Sequence, residues 1–328
     1  MLKKNYFFIF LFLSITSYCQ DYDTNYVQPY KHKLNIRTLL FTKSASFSIK
    51  STSNIDSLNS KTVKYIPNVA SLFGLGLSYK YFSMIFAFKL PISDAQLNKY
   101  GKTTYSDMQI NIYKRKYLFS GYIRNYKGFY INKPKEIYPD LADTLPNPSR
   151  RDLNYYSMGM ECYYFFNNSK YSLKSSFSNV ERQLKSASSF LLKGDMSYSY
   201  IEGDSCIIPY TQNDKFGNLK GLNYFGFASI GITAGYTYNF VIKRNFYINP
   251  FLFTGIGVQI KEFNADLGKS SSIAGYGNSG LRISAGYNGN RYYLGLILDL
   301  AGSSQNQEQI KFETSTFLLA LKAGFRFF

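Results

Sequence analysis

Apolar and polar side chains alternate along most of this chain, in stretches of about ten residues that repeat the full length of the sequence. In Asp107–Ile112, Met108, Ile110 and Ile112 share one face, while Asp107, Gln109 and Asn111 share the other. Between Asn223 and Phe240, the set Ala228, Ile230, Ile232, Ala234, Tyr236, Tyr238 and Phe240 opposes Ser229, Gly231, Thr233, Gly235, Thr237 and Asn239. Leu281, Ile283, Ala285 and Tyr287 oppose Arg282, Ser284, Gly286 and Asn288. Tyr292–Leu300 and Phe317–Phe327 repeat the pattern. A period of two is that of a strand with two unlike faces. After the N-terminus no uninterrupted apolar run reaches the ~18 residues of a membrane helix. The pattern predicts an all-β protein, a transmembrane antiparallel up-and-down β-barrel of about 12 to 14 strands, with one face on lipid and the other on the lumen.

The connections predict which end is which. Short turns are expected at Tyr79–Phe82, Lys114–Lys116, Asn167–Lys170, Ile242–Asn245 and Asn288–Asn290. The pair Asn288-Gly289 is a hairpin signal, since both residues tolerate positive φ. Longer polar connections are expected near 51–68, 91–103, 132–149, 264–275 and 303–310. Short turns on one side and long loops on the other match periplasmic and extracellular ends. Counts made from the two termini disagree on the direction of the strand near 189–202, which places an error of one strand in 179–220.

The N-terminus reads as an export signal. Lys3 and Lys4 precede an apolar run from Tyr6 to Ile15, and Ser17-Tyr18-Cys19 offers small residues at both positions that a signal peptidase reads. The expected division is a signal peptide at 1–19, a periplasmic lead-in at 20–32 and a barrel at 33–328. A lipidated Cys19 is the lesser alternative, because Tyr18 is bulky where a small residue is needed. Cys162 and Cys206 then remain, as two thiols rather than a disulfide framework.

Composition agrees with a membrane–water boundary. There are 32 Tyr and 29 Phe but no Trp, and tyrosine has an apolar ring with a polar tip. The net charge of +18 is scattered along the chain rather than clustered, which argues against nucleic acid as a partner. It suits a phosphate-rich membrane surface or simple solubility. The last residues, Lys322 to Phe328, resemble the C-terminal signal read by the outer-membrane assembly machinery; Gly324, Phe325, Phe327 and Phe328 carry that likeness. The expected location is the outer membrane of a Gram-negative bacterium. The expected partners are outer-membrane lipid or lipopolysaccharide and that machinery.

Five further stretches resemble a family of uncharacterised exported proteins from Bacteroidota, catalogued as a domain of unknown function. They are Asp23-Thr24-Asn25-Tyr26-Val27, Leu75-Gly76-Leu77-Ser78-Tyr79-Lys80, Asn125-Tyr126-Lys127-Gly128-Phe129-Tyr130, Lys185-Ser186-Ala187-Ser188-Ser189-Phe190-Leu191-Leu192 and Ala285-Gly286-Tyr287-Asn288-Gly289. The resemblance implies an exported barrel-like protein and assigns no activity.

Catalytic chemistry is poorly represented. His32 is the single histidine, so a hydrolase of the outer-membrane kind is disfavoured. One His and two distant Cys do not supply zinc-ligand spacing. Asp204 and Asp214 lack the alternate acids of a calcium loop. Gly255-Ile256-Gly257 and Gly275-Tyr276-Gly277 lack the strand–helix setting of a phosphate loop. No cofactor is expected. Alternation places Arg37, Asp107, Arg124, Glu161, Lys193, Asp195, Arg282, Arg291, Asp299, Lys322 and Arg326 in the lumen. These charges either form a structural network or line a slightly cationic path for small polar, anionic or amphipathic solutes. The first expectation is a narrow channel or transporter. The alternative is a non-transporting barrel, structural or adhesive, that acts through its loops. A lipid-modifying enzyme comes third.

Overall fold

The computed structural model describes residues 22–30, 33–51, 62–79, 82–212, 219–307 and 310–327. The expected signal peptide, His32, Asp214 and Phe328 lie outside the described residues. Fifteen strands are described, along with two short helices, α1 (Asp94–Tyr100) and α2 (Leu173–Ser176). The first nine strands are β1 (Val27–Pro29), β2 (Leu34–Ser51), β3 (Thr62–Ile66), β4 (Leu72–Tyr79), β5 (Phe82–Lys89), β6 (Thr104–Tyr113), β7 (Tyr117–Ile131), β8 (Ser149–Phe165) and β9 (Glu181–Gln183). They are followed by β10 (Ala187–Glu202), β11 (Tyr224–Ile242), β12 (Phe246–Ala265), β13 (Gly268–Asn288), β14 (Tyr292–Gln307) and β15 (Ile310–Phe327).

Every pairing is antiparallel, and β15 returns to β2 from Ile310↔Ser51 to Phe327↔Leu34, which closes the wall. Ten strands form the ring: β2, β3, β7, β8 and β10 to β15. The ring changes with height. Near the outer end β3 bridges β2 and β7. Lower down β3 gives way to β4, which pairs with β2 from Phe41↔Leu72 to Asn35↔Ser78. There the wall also includes β5, paired with β4, and β6, paired with β7.

The outer surface explains why the chain folds this way. Ile123, Met158, Met160, Met196, Ile230, Ile232, Ile256 and Val258 all point outward and are exposed. This belt is bordered on one side by Tyr156, Tyr198, Tyr200 and Tyr224 and on the other by Tyr117, Tyr164, Phe190, Tyr236, Phe246 and Tyr292. From Phe190 to Tyr200 along β10, ten steps of ~3.3 Å at a tilt near 40° span about 25 Å, the height of a bilayer's apolar layer. No described helix is long and apolar enough to cross a membrane; the strands do the crossing. A closed ring leaves few backbone groups unpaired in lipid.

Two expectations about connections change. Residues 264–275 and 303–310 are not long loops, because β12 and β13 pair through to Ala265↔Gly268 and β14 pairs with β15 to Gln307↔Ile310. Polar runs such as Ser270-Ser271-Ser272 read as loop, but a hairpin above the bilayer satisfies its own backbone and needs no apolar face. Asn167–Lys170 is a turn, closed by Tyr171 N donating to the Asn167 carbonyl, but it leads into no wall strand. Residues 166–186 fold up into the periplasmic mouth as a plug, and no wall strand lies between β8 and β10. That missing strand removes the disagreement in direction, and β10 runs outward.

Candidate functional site

Inside the ring the same alternation builds three layers. The outer layer is apolar. Phe47, Tyr65, Phe129, Tyr155, Phe225 and Phe312 pack with Ile207, Ile208, Leu219 and Leu222 from the β10–β11 connection. Phe47 stacks on Tyr65 with ring centroids 5.0 Å apart, and Phe225 meets Phe312 at 4.9 Å. Cys206 packs against this layer. Cys162 lies mid-strand in β8, and no disulfide joins the two.

The periplasmic layer is the plug; polar contacts hold it, and its Tyr171 and Leu173 pack on an apolar cluster with Phe165, Leu191, Phe251 and Phe253. Lys322 Nζ donates to the Ser176 and Phe177 carbonyls at 2.6 and 3.2 Å. Arg326 Nε and Nη2 donate to the Asn179 carbonyl, and Arg37 Nη1 donates to the Ser178 carbonyl. Asn239 Nδ2 donates to the hydroxyls of Ser175 and Ser176, and Asn288 Nδ2 to the Ser175 carbonyl. Within the plug, Glu181 pairs with Arg115 at 2.8 Å and Lys174 at 3.5 Å. Burial holds the Lys174 ammonium below the usual lysine range, against the opposing pull of Glu181. The lead-in takes part as well: β1 pairs with β9, and Tyr30 OH donates to the Gly289 carbonyl.

Between these layers lies a chamber of about 170 Å³. It is room for roughly a dozen waters. Its charges come from six strands: Lys43 (β2), Arg124 (β7), Glu161 (β8), Lys193 and Asp195 (β10), Arg282 (β13) and Asp299 (β14). Asp107 of β6 bridges Lys43 at 2.5 Å and Arg124 at 3.6 Å. Lys193 lies 3.4 Å from Glu161 and 3.2 Å from Asp195, and Arg282 lies 2.8 Å from Asp299. Tyrosines complete the carboxylates: Tyr126 donates to Asp107, Tyr163 to Glu161 and Tyr276 to Asp195, all within 2.9 Å. Gly231 and Gly257 leave the space in which Tyr276 lies flat, since a Cβ at either would collide with its ring or hydroxyl. Four cations thus face four carboxylates, and the chamber is balanced in charge. Asp299 Oδ1 is buried with no hydrogen-bond partner among the described residues.

The residues singled out from sequence separate by height. Asp107, Arg124, Glu161, Lys193, Asp195, Arg282 and Asp299 gather at the chamber, whereas Arg37, Lys322 and Arg326 point inward but hold the plug. Arg291 is a correction. It sits exposed in the turn between β13 and β14, where strand alternation has stopped. Lys43 was missed, although it shares the parity of Arg37 on β2. The plug was missed because Ser175-Ser176-Phe177-Ser178-Asn179 carries neither alternation nor a helix period. At the end of β15, Gly324 faces inward against the Tyr293 ring, while the Phe325 ring lies 5.1 Å from Tyr292 and 4.5 Å from Phe327. Asp204 is exposed in a loop. Among the described residues no three His, Cys, Asp or Glu side chains cluster as metal ligands.

A closed antiparallel ring with an apolar belt, aromatic borders and a charged interior defines a membrane-spanning β-barrel of the outer-membrane type. Within that class the chain belongs to the family described as Domain of unknown function (DUF4421), whose model matches residues 21–327. No curated protein matches it. Among solved structures it is similar to the outer membrane protease OmpT from Escherichia coli, with 8% identity and a TM-score of 0.42 over 90% of this chain and 97% of that one. It is also similar to Ail, the attachment invasion locus protein of Yersinia pestis (10% identity, TM-score 0.22, 90% of this chain and 99% of that one). The P. putida toluene transporter TodX shows 9% identity and a TM-score of 0.25 over 90% of each chain. Likeness at this level extends to no particular activity.

Proposed function

We propose that this protein is a gated outer-membrane barrel that holds a small polar solute of no net charge in its mid-lumen chamber. One observation carries the reading: a charge-balanced chamber retains a buried carboxylate oxygen, Asp299 Oδ1, with no hydrogen-bond donor among the described residues. A solute with an N–H⁺ group supplies that donor, and its anionic end meets Arg124 or Lys43. Glycerophosphoethanolamine, one phosphodiester anion with one ammonium, has this form. The two seals differ in kind. The outer one is an apolar core, costly to open. The plug combines a smaller apolar cluster around Tyr171 with hydrogen bonds that water can replace, each worth ~0.5–1.5 kcal/mol net, or ~1.5–3 kcal/mol where the donor is charged. The plug is therefore the gate, and it opens to the periplasm.

The test uses Ser197→Cys, in the chamber wall, with Cys162 and Cys206 replaced by Ser. A small methanethiosulfonate amine should label it slowly, faster by at least tenfold when Asn239→Leu and Asn288→Leu loosen the plug. Glycerophosphoethanolamine should protect the thiol, and Asp299→Asn should abolish protection. In planar bilayers the intact barrel should carry no steady current. A steady current, or absent protection, contradicts the proposal.

A second reading is favoured by the ion pairs, which link every chamber charge to an opposite one: a closed structural barrel that acts through its loops. Equal labelling with and without a loosened plug supports it. We also propose that the protein is no enzyme, because a single histidine limits the available acid–base chemistry; any hydrolase activity surviving His32→Ala would remove that residue as its source. Lipopolysaccharide as a specific partner, recognition of the C-terminal residues by the assembly machinery and a Bacteroidota source belong to the same proposal. They are supported by the basic surface, by Phe325 and Phe327, and by the family likeness respectively.

A further inference from the structure

The wall has a break. Strand β5 pairs with β4 on one side and β6 with β7 on one side, yet no backbone pairing joins β5 to β6 among the described residues. The two strands run antiparallel and are consecutive in the chain. Among the described residues they are held together near the top, where Lys89 Nζ donates to the Tyr105 carbonyl at 2.7 Å and lies 3.8 Å from the Tyr105 ring.

Above that point the wall is firmly shut. Asn68 N donates to Thr103 Oγ1, Asn68 Nδ2 to the Gly101 carbonyl and Thr103 Oγ1 to the Gly128 carbonyl, at 2.7–2.8 Å. Gly128 has φ +94 at a bulge in β7, and its bare α-carbon admits the Lys102 carbonyl. The opening is thus a wedge, pinned at its apex and free below.

Two observations show that this wedge joins the lumen to the lipid. First, β5 is exposed on both faces. Outward-facing Phe86 and Phe88 are 54% and 59% exposed, but inward-facing Ile85 is 44% exposed as well. Its inward direction follows from register: Ile85 opposes Gly76, which opposes Arg37, whose guanidinium reaches the plug. Second, the β6 side of the wedge borders the chamber: Lys43 reaches across to Asp107 and Gln109 of β6 at 2.5 and 3.3 Å, and Gln109 lines the chamber. Backbone groups left unpaired in a bilayer cost several kcal/mol each. The edges of β5 and β6 therefore favour one of two states: zipped to each other, or wetted from the lumen while the wall stands open. That is a bistable element of the kind that gates a site.

We propose that the β5–β6 seam is a lateral portal through which an amphipathic molecule with a compact zwitterionic head and one apolar chain passes between bilayer and chamber. The proposal rests on the chamber reading above and adds its route and substrate class. The head takes the chamber, and the chain lies in the wedge against Ile85 and Ala87 of β5 and Tyr113 of β6.

The test uses lysophosphatidylethanolamine with a photoreactive acyl chain, in vesicles containing the full barrel. Adducts are expected on inward-facing Ile85, Ala87 and Tyr113. Lys89 opposite Tyr105 sets the zipped register, in which Phe86 opposes Met108. A disulfide in Phe86→Cys/Met108→Cys should cut the inward adducts at least tenfold, and reduction should restore them. Ala87→Trp, which fills the wedge without cross-linking, should lower them in the same way. Adducts confined to outward-facing Met84, Phe86, Met108 and Ile110, or inward adducts indifferent to both variants, would overturn the portal. Glycerophosphoethanolamine protection of Ser197→Cys should persist in the locked barrel. Its survival alongside a failed lock disproves the portal alone, and its absence in every variant disproves the chamber reading.

Discussion

At Ile232 and Leu296 the account is most exposed to contradiction, because single side chains there decide which face meets lipid. Both point outward, at 54% and 42% exposure. Arginine at either should destabilise the barrel by ~2–4 kcal/mol in reversible unfolding from lipid bilayers. Arginine at Ser229, which lines the chamber, should cost well under half as much. Inside, Lys193 serves two carboxylates. Lys193→Met should cost about 3 kcal/mol, since it strands buried charge. Adding Glu161→Gln and Asp195→Asn should recover most of that loss. Alternation made these positions legible in sequence, because burial in a strand follows parity alone. Parity fails where the strand ends, which is why Arg291 was misplaced, and it is silent about height, which is why plug-holding Lys322 and chamber-lining Arg282 looked alike.

Strands were legible as elements where both faces had a job. In β11, lipid on one side and water on the other keep the alternation from Ala228 to Phe240. Its first residues lose it, because Phe225 and Phe227 face an apolar core rather than water. The β12–β13 hairpin rises beyond the tyrosine border, so its polar tip looked like loop. Removing residues 262–271 and joining the strands by a two-residue turn should leave folding yield unchanged but lower heat stability, because Phe263 leaves the outer apolar layer, as read by the gel shift between folded and unfolded forms. The plug was invisible for a different reason. Its side chains and backbone bond to wall residues more than fifty positions away, as Ser176 does to Lys322 and Ser284, and no local pattern encodes such partners.

For the molecule as a whole, closure and orientation were the legible properties, while sealing was not. A through-channel and a capped barrel share the same alternation; they differ in whether inward side chains meet across the lumen, which sequence does not state. Orientation predicts that protease added to intact cells cuts in the 203–223 connection and spares the turn at 243–245. The central claim is that successive residues of the wall face lipid and lumen in turn. Nitroxide spin labels placed singly at positions 228 to 236 of β11, with the two cysteines replaced, measure this directly in reconstituted bilayers. The account predicts that collision with oxygen peaks at 228, 230, 232, 234 and 236, and that a membrane-impermeant nickel reagent reaches none of these five. Collision rates without a two-residue period, or nickel access at Ile230 and Ile232 equal to that of a fully aqueous site, would contradict it.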